Sequence, residues 1–391
     1  MRQVFNTAES WYEATARRVA YAPLRMTLDA DVCVIGGGFA GLTTALECQR
    51  LGLNTVLLEA GRIAGGASGR NGGFVSNGFA LGAESIKKMV GRQAAKELYA
   101  LSRLGTDYVR QTISANDPSI LTGHGGRVAL RHKDDGGLKS YMELLNAAFG
   151  EDLKYSSVEE TRRHLVSSRY FESLSSEATF HIHTLRYGIL LAKLAVDSGV
   201  KVYESSPALN CEKRGSSFVV TTAGGEVRAA HVVHCVSSAD TRLHRPSGRA
   251  VLPVATYVAV TEPIKQDVIR TNAAIADTRR AGDYYRLIDG GRILWGGRIT
   301  TRVSEPSQLA ERMKGDMLSV YPDLGNPRIE FAWSGLMGYA IHKMPLIGRD
   351  AEGQWFATAF GGHGLNTTAM GGGLVARGIA GLDDSWRRFS P

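Results

Sequence analysis

Three glycines and one acid carry the first chemistry legible in this chain: Gly36, Gly38 and Gly41 in GGGFAG, and Glu59 beyond them. Glycines at this spacing suit a strand-to-helix turn that holds a pyrophosphate. Gly36 allows the sharp exit from the strand, Gly38 lets the phosphates approach the backbone, and Gly41 lets the helix lie close to the strand. The helix start, with Phe39 and Ala40 in its first turn, offers free N–H groups and the positive end of the helix dipole to phosphate oxygens. Glu59, followed by Ala60, is spaced to accept hydrogen bonds from a ribose diol.

These residues work together only if the right elements hold them. The apolar run Val32 to Ile35 reads as a strand, Phe39, Leu42, Ala45 and Leu46 recur at helical spacing, and Thr55 to Leu58 reads as a second strand. Asp31 to Glu59 is therefore one βαβ unit, and the glycines and the acid sit in their full context.

A second glycine-rich stretch, Ala60 to Gly78, follows. A loop this long within a compact domain is either functional or disordered. Its mixture of Ser68, Arg70, Asn71, Gly72 and Gly73 suits a segment that wraps an extended ligand, offering backbone N–H groups and a guanidinium to phosphate or carbonyl oxygens. Far along the chain, Gly361, Gly362, His363 and Gly364 open another helix, with Leu365 in its first turn and Asn366 and Thr367 as expected caps. A nicotinamide dinucleotide needs one phosphate-binding turn, whereas FAD must be held at both ends, so the second turn points to FAD. A helix start aimed at the N1/C2=O edge of an isoalloxazine would favour negative charge there. His363, between glycines at that start, joins the catalytic candidates.

At 391 residues the chain is long enough for two domains. In the leader, residues 1–28, Trp11 and Tyr12 are expected to anchor the segment on the body without chemistry. Helical spacing covers 83–113 and 137–149, with a short strand and turn around 121–130 between them. Leu185, Ile189, Ala192 and Val196 give an amphipathic helix ended by Gly199; the strand VKVY and short strands over 208–236 follow, closing in VVHCVSSAD. The strand-like runs VLPVATYVAVTE and DYYRLIDGGRILWGGR dominate 250–330. The fold expected is α/β, α+β overall. A discontinuous Rossmann-like FAD-binding domain takes 28–82, 151–240 and 331–391, and a mainly antiparallel β-sheet substrate domain takes 83–150 and 241–330.

Bulk properties narrow the partners. A net charge of +8 is interspersed with acids and forms no long basic run, which argues for a solvated basic surface and against nucleic acid. Such a surface draws in anionic substrates or weakly favours an acidic membrane surface. Cys33, Cys48, Cys211 and Cys235 form no C-x-x-C pair, which argues against a zinc site, a dithiol centre or a disulfide framework and fits a reducing compartment. No metal is expected. No apolar stretch has signal-peptide or membrane-spanning length, so the expected location is the cytoplasm.

With these motifs in view, the chain resembles the FAD-dependent amine and amino-acid oxidoreductases of the D-amino-acid oxidase superfamily, and within it the gamma-glutamylputrescine oxidase-type proteins. The likeness rests on VIGGGFAGLTTALECQRLGLNTVLLEA, ASGRNGGF at 67–74, YYRLIDGGRILWGGR at 284–298 and GGHGLNTTAMGGGLVARGIAG, and it runs through nearly the whole chain in order. It implies FAD held by the two glycine turns, Glu59 and the 67–73 loop. It also implies hydride transfer from the carbon beside a substrate amine to flavin N5, giving an imine that water hydrolyses. The amine must be neutral, because its lone pair drives the hydride away, and a desolvated aromatic pocket would favour that form. By position in the family pattern Tyr285, not Tyr284, would line the pocket, since neighbours on a strand face opposite ways. Arg286 and Arg298 are candidates for a substrate carboxylate, which a guanidinium binds through two parallel bonds.

The departures from the family limit what carries over. Some relatives link the flavin through a Cys near the position of Gly335 or Leu336, others through a His after the second strand; this chain has neither, so FAD should be held non-covalently. His342 stands where relatives have the acid of a D-x-x-P element, and Leu294 or Trp295 where some oxidases have an oxygen-activating Lys. The electron acceptor is left between oxygen and a quinone, the latter implying a dehydrogenase associated peripherally with a membrane. A flavin-binding subunit of a larger oxidase is the alternative from a different class.

Overall fold

The computed structural model describes residues 9–237, 243–279 and 281–389. The expected domain boundary at 240/241, the end of VVHCVSSAD and the first eight residues of the leader lie outside them.

The first sheet is organised around the strand Thr27–Ile35. Its residues alternate between two cores: Val32 and Val34 meet a layer of helices, and Cys33 and Ile35 meet Phe218, Val220 and Val227 on the other side. Burial on both faces is what a central parallel strand requires. Thr55–Leu58 pairs with it in parallel on one side and Glu226–His234 on the other. Lys201–Tyr203 and Trp355–Thr358 extend the parallel array outward, and Leu346–Arg349 closes one edge antiparallel. The sheet thus draws on distant stretches of chain, the discontinuity expected from the sequence. The short strands expected over 208–236 form an antiparallel meander of Asn210–Arg214, Ser217–Thr221 and Glu226–His234. Helices Phe39–Arg50, Thr184–Asp197 and Gly364–Ile379 form the covering layer, with Leu42, Leu46, Leu191 and Val375 in its core.

The second sheet runs Ile329–Ala340, Val251–Thr261, Arg292–Thr300, Tyr284–Ile288, Ala274–Asp277, Leu121–Ala129, Ser173–Ile182, Phe74–Val75. Among the described residues its ladders are antiparallel except that joining Ala274–Asp277 to Leu121–Ala129. Sheet membership crosses the limits expected for the segments: Phe74–Val75, Lys154–Ser156, Ser173–Ile182 and most of Ile329–Ala340 join this sheet although their neighbours in sequence build the first. A short strand's own pattern shows that it pairs, not with which sheet.

The helix expected over 83–113 is two, Ala83–Val90 and Arg92–Asn116, broken at Gly91 with φ +82°. Met89 and Val90, at the end of the first helix, are exposed. A further helix, Leu309–Val320, interrupts the strand-like region and packs Met313 and Met317 with Tyr285 and Trp295. Trp11 and Tyr12 are buried on the body, as expected of an anchor. No helix among the described residues is long and apolar enough to cross a membrane.

Candidate active site

The first glycine turn is shaped by backbone. Gly36, at φ +110°, leaves its strand with its N–H on Leu58 O at 2.8 Å. A Cβ at Gly36 would lie 2.8 Å from Cys235 O, and one at Gly41 would overlap Gly36 O. The helix Phe39–Arg50 starts at Gly38 without a side-chain cap on the Gly38 position; Ser68 Oγ, from the long loop, accepts from Phe39 N–H at 3.0 Å. A Cβ at Gly38 would meet only the Ser68 side chain, with Oγ at 3.0 Å. Glu59 accepts from the N–H groups of Gly37 and Gly61, both at 2.7 Å. Burial raises its carboxyl pKa, against the lowering pull of those N–H bonds.

The loop then runs from this turn to the second one. Ala67–Gly69 forms a single 3-10 turn bracketed by Asn71, whose amide donates to Ala67 O at 3.0 Å and Ser68 O at 2.8 Å and whose Oδ1 accepts from Gly73 N–H at 2.8 Å. Arg70 donates from Nε to Ser334 O, and its carbonyl accepts from Trp333 Nε1, both at 2.9 Å. At the far end His363 Nε2 lies 3.1 and 3.0 Å from the carbonyls of Ser76 and Asn77. Two carbonyl partners make Nε2 the protonated nitrogen. Burial lowers the pKa more than these bonds raise it, so the ring is neutral at neutral pH.

At the second turn Gly361 N–H donates to Gly338 O at 2.9 Å and Gly362 N–H to the Tyr339 hydroxyl at 2.8 Å. The helix Gly364–Ile379 starts at His363, again with no side-chain cap. Asn366 and Thr367 are therefore not the caps expected: both lie inside the helix, where a cap residue must precede it. Asn366 donates its amide to Gly78 O at 3.1 Å and Ser102 O at 3.3 Å, and Thr367 Oγ1 returns to His363 O at 2.5 Å. The N–H groups of a helix's first turn have no acceptor within it, here those of Gly364, Leu365 and Asn366. Two helix starts without their own caps, strung on one loop bonded to each, fit a long anionic ligand gripped at both ends, as FAD is.

The residues expected on the substrate side divide differently. Tyr285 faces away from the loop: its ring stacks on Trp295 at 4.2 Å, and its hydroxyl bonds those of Tyr170 and Tyr321 at 2.9 and 2.7 Å. Tyr284 occupies the loop side, its ring 2.7 Å from where a Cβ at Gly72 would stand and 5.9 Å from the Phe74 ring, its hydroxyl 3.2 Å from Thr256 Oγ1. The choice of Tyr285 is corrected accordingly, and the signal was present. The tight turn at 289–291 sets Tyr284 opposite Gly296, which leaves its ring room, and Tyr285 opposite Trp295, which makes a stacked core pair.

Arg286 is fully buried and lies on the loop side, but its guanidinium is occupied. Nε donates to Gly72 O at 2.9 Å; Nη1 reaches Thr122 Oγ1 at 2.6 Å and His181 Nδ1 at 2.8 Å; Nη2 reaches Tyr12 Oη at 3.1 Å and Ile182 O at 2.9 Å. A guanidinium has five N–H groups, so none is left for a substrate carboxylate. Arg298 is held by Asp316 at 2.5 and 2.9 Å beside the helix Leu309–Val320. Arg286 is thus corrected from a substrate binder to a partner within the protein, while Arg298 gives two of its five N–H groups to Asp316. The sequence did not indicate Tyr339, Thr122, His181 or Glu204. Buried Glu204 accepts from Ile63 N–H at 2.7 Å and Tyr21 N–H at 3.1 Å, fastening the loop to the leader. Thr122, His181 and Glu204 act across more than a hundred residues and Tyr339 across 23, where no local pattern reaches.

Comparison with known proteins agrees with the expected resemblance. The DAO family, described as FAD dependent oxidoreductase, matches residues 31–377. Probable oxidoreductase OrdL of Haemophilus influenzae is 30% identical over 384 residues, covering 96% of this chain and 88% of that protein. Gamma-glutamylputrescine oxidoreductase of Escherichia coli is 30% identical over 390 residues, covering 97% and 91%. Among solved structures, glycine oxidase from Bacillus cereus superposes with a TM-score of 0.76 at 20% identity, covering 91% of this chain and 96% of its own. L-amino acid deaminase from Proteus myxofaciens does so with a TM-score of 0.78 at 17% identity, covering 99% and 96%.

Proposed function

The chain belongs to the DAO family of FAD-dependent oxidoreductases, and on that premise we propose that it oxidises the C–N bond of a primary or secondary amine, using FAD held without a covalent link. The observation that carries the reading is the loop over residues 67–77, bonded to both helix starts. When bound, the flavin supplies an acceptor for hydride from the carbon beside the nitrogen, and the imine left behind hydrolyses in water.

The chain's own residues do the rest. Gly36, Gly38 and Gly41, with Phe39 and Ala40, would receive the pyrophosphate, Glu59 the ribose, and Gly362 to Asn366 the polar edge of the flavin. The rings of Tyr284 and Phe74 give a dry wall that disfavours an ammonium and so supplies the neutral amine the reaction needs. His363 keeps its proton on the loop carbonyls and thereby holds the loop on the second helix start. Of the two substrate classes, an amine without a carboxylate beside its nitrogen is favoured, because every donor of buried Arg286 is taken within the protein and Arg298 is ion-paired with Asp316. The whole-length likeness to gamma-glutamylputrescine oxidoreductase supports an amine as well.

Leu294 and Trp295 are uncharged, so this strand offers no cation to activate oxygen at the position where some oxidases carry one; a quinone is the acceptor this favours. Action in the cytoplasm suits its four unpaired cysteines. The test is anaerobic mixing of the yellow protein with panels of amines and α-amino acids. Carboxylate-free amines should bleach the flavin absorbance fastest, and acid precipitation should release the flavin into the supernatant. Faster bleaching by α-amino acids would refute the substrate class, and a protein that cannot be reconstituted with FAD would refute the function. Hydrogen peroxide formed in step with product would replace the quinone by oxygen.

A further inference from the structure

We propose that Tyr12 and Arg286 act together as positioning residues that hold the middle of the loop, Asn71 to Gly73, against the bound dinucleotide. This rests on the FAD-binding reading above. The loop is secured at its two ends, by Ser68 on the Phe39 N–H and by His363 on Ser76 and Asn77. A ligand reaching from one helix start to the other must pass its middle, and there the holding groups come from the leader and the second sheet.

Arg286 lies directly beneath this stretch: a Cβ at Gly73 would stand 2.8 Å from its Nη2, and its Nε carries Gly72 O at 2.9 Å. Its five partners are all neutral, drawn from the leader, the loop and two strands of the second sheet. A buried cation is tolerated only when every donor is satisfied, so the five acceptors must keep their places together. His181 meets that demand. Its Nε2 sits 2.7 Å from Asn272 O and carries the proton, which leaves Nδ1 as the acceptor that Arg286 requires. Burial, with Arg286 adding to it, pushes the His181 pKa down to about 3, so no second charge competes.

Tyr12 converts this fixed cation into a constraint on the loop. Its hydroxyl accepts from Nη2 at 3.1 Å and donates to Asn71 O at 2.8 Å, using both of its capacities. Its ring is buried between His183 at 5.0 Å and Trp333 at 5.7 Å, so the hydroxyl has no freedom to turn elsewhere. Asn71 in turn braces Ala67 and Ser68, and Ser68 meets the phosphate-binding helix. A four-residue helix in the leader therefore bears, through two residues, on the start of the dinucleotide helix.

Tyr12→Phe tests this, because it keeps the ring and removes both bonds. With the holoprotein we expect a melting temperature within a few degrees of the parent, FAD release faster by about tenfold from the two lost bonds, and a displaced flavin midpoint potential with altered fine structure in the visible band. Arg286→Lys keeps the charge but has three donors for five acceptors, and should move the same readouts further; if that variant fails to fold, Tyr12→Phe decides alone. A Tyr12→Phe protein with the parent's FAD release rate, potential and spectrum would overturn the proposal while leaving the FAD reading intact. A parent protein that binds no FAD would remove the reading itself.

Discussion

At Gly36 and Gly41 of the first glycine turn an added side chain meets backbone; at the second turn it meets mainly one side chain. Cys235 O lies 2.8 Å from a Cβ built at Gly36, whereas the nearest atoms to those built at Gly361 and Gly362 are Tyr339 Cε1 at 2.7 Å and its hydroxyl oxygen at 2.6 Å. The first turn is made inside one sheet, from a strand, the helix that follows it and the neighbouring strand. The second is made where two sheets meet, and its shape is lent by a residue of the other sheet. Rigidity at one end and dependence on a distant side chain at the other are expected to fail in different ways.

The largest failure should come at Gly41. With Gly36 O in the place a Cβ would take, Gly41→Val has to displace backbone, a loss of about 4 kcal/mol or more; melting and flavin content should both collapse. Gly38→Val separates fold from ligand. Only Ser68 stands near its Cβ, so circular dichroism should stay native while FAD affinity falls by roughly a hundredfold, about 2.7 kcal/mol. A yellow, saturated Gly38→Val would contradict the assignment of the first turn.

Acid sharpens the contrast. His363, at the second turn, has a folded pKa below its unfolded value, so the unfolded chain binds more protons and stability falls as pH drops below about 6.5, by at most about 1.4 kcal/mol per pH unit. Glu59, at the first turn, has a folded pKa above its unfolded value, so it opposes folding at neutral pH and that opposition fades as pH falls through its folded pKa. In FAD-free protein, His363→Gln should flatten the loss of melting temperature between pH 6.5 and 5, the window just under the ordinary histidine pKa of about 6.5, and Glu59→Gln should remove the opposing contribution of the Glu59 carboxyl. An unchanged acid limb in His363→Gln would count against a buried neutral ring. The smallest effect belongs to Tyr339→Phe, which removes one acceptor from Gly362 N–H and should lower stability by about 1 kcal/mol with the first turn untouched.

The same contrast explains what could be read from the sequence. Gly36, Gly38, Gly41 and Glu59 lie within one βαβ unit, where spacing is geometry, and the first turn is legible for that reason; the long loop and the second turn are legible from their clustered glycines. The parity of Tyr284 and Tyr285 is legible too, through Gly296 and Trp295 opposite them, whereas position in the family pattern points to the wrong one of the two. The use of Arg286 was not legible: its partners come from residues 12, 72, 122, 181 and 182, which only the folded chain assembles. An arginine before a glycine-rich hairpin reads as an open donor until those acceptors are seen. Nor could periodicity tell that 83–113 breaks at Gly91, since the apolar spacing continues through it.

The helix Gly364–Ile379 shares the core of Phe39–Arg50, more than three hundred residues earlier. On the ribosome the early helix emerges long before that neighbour does, so the nucleotide-binding end must wait, with its apolar face open, until the late one arrives. Cofactor capture is then an event of the finished chain, and chaperone demand during synthesis should be set by that delay.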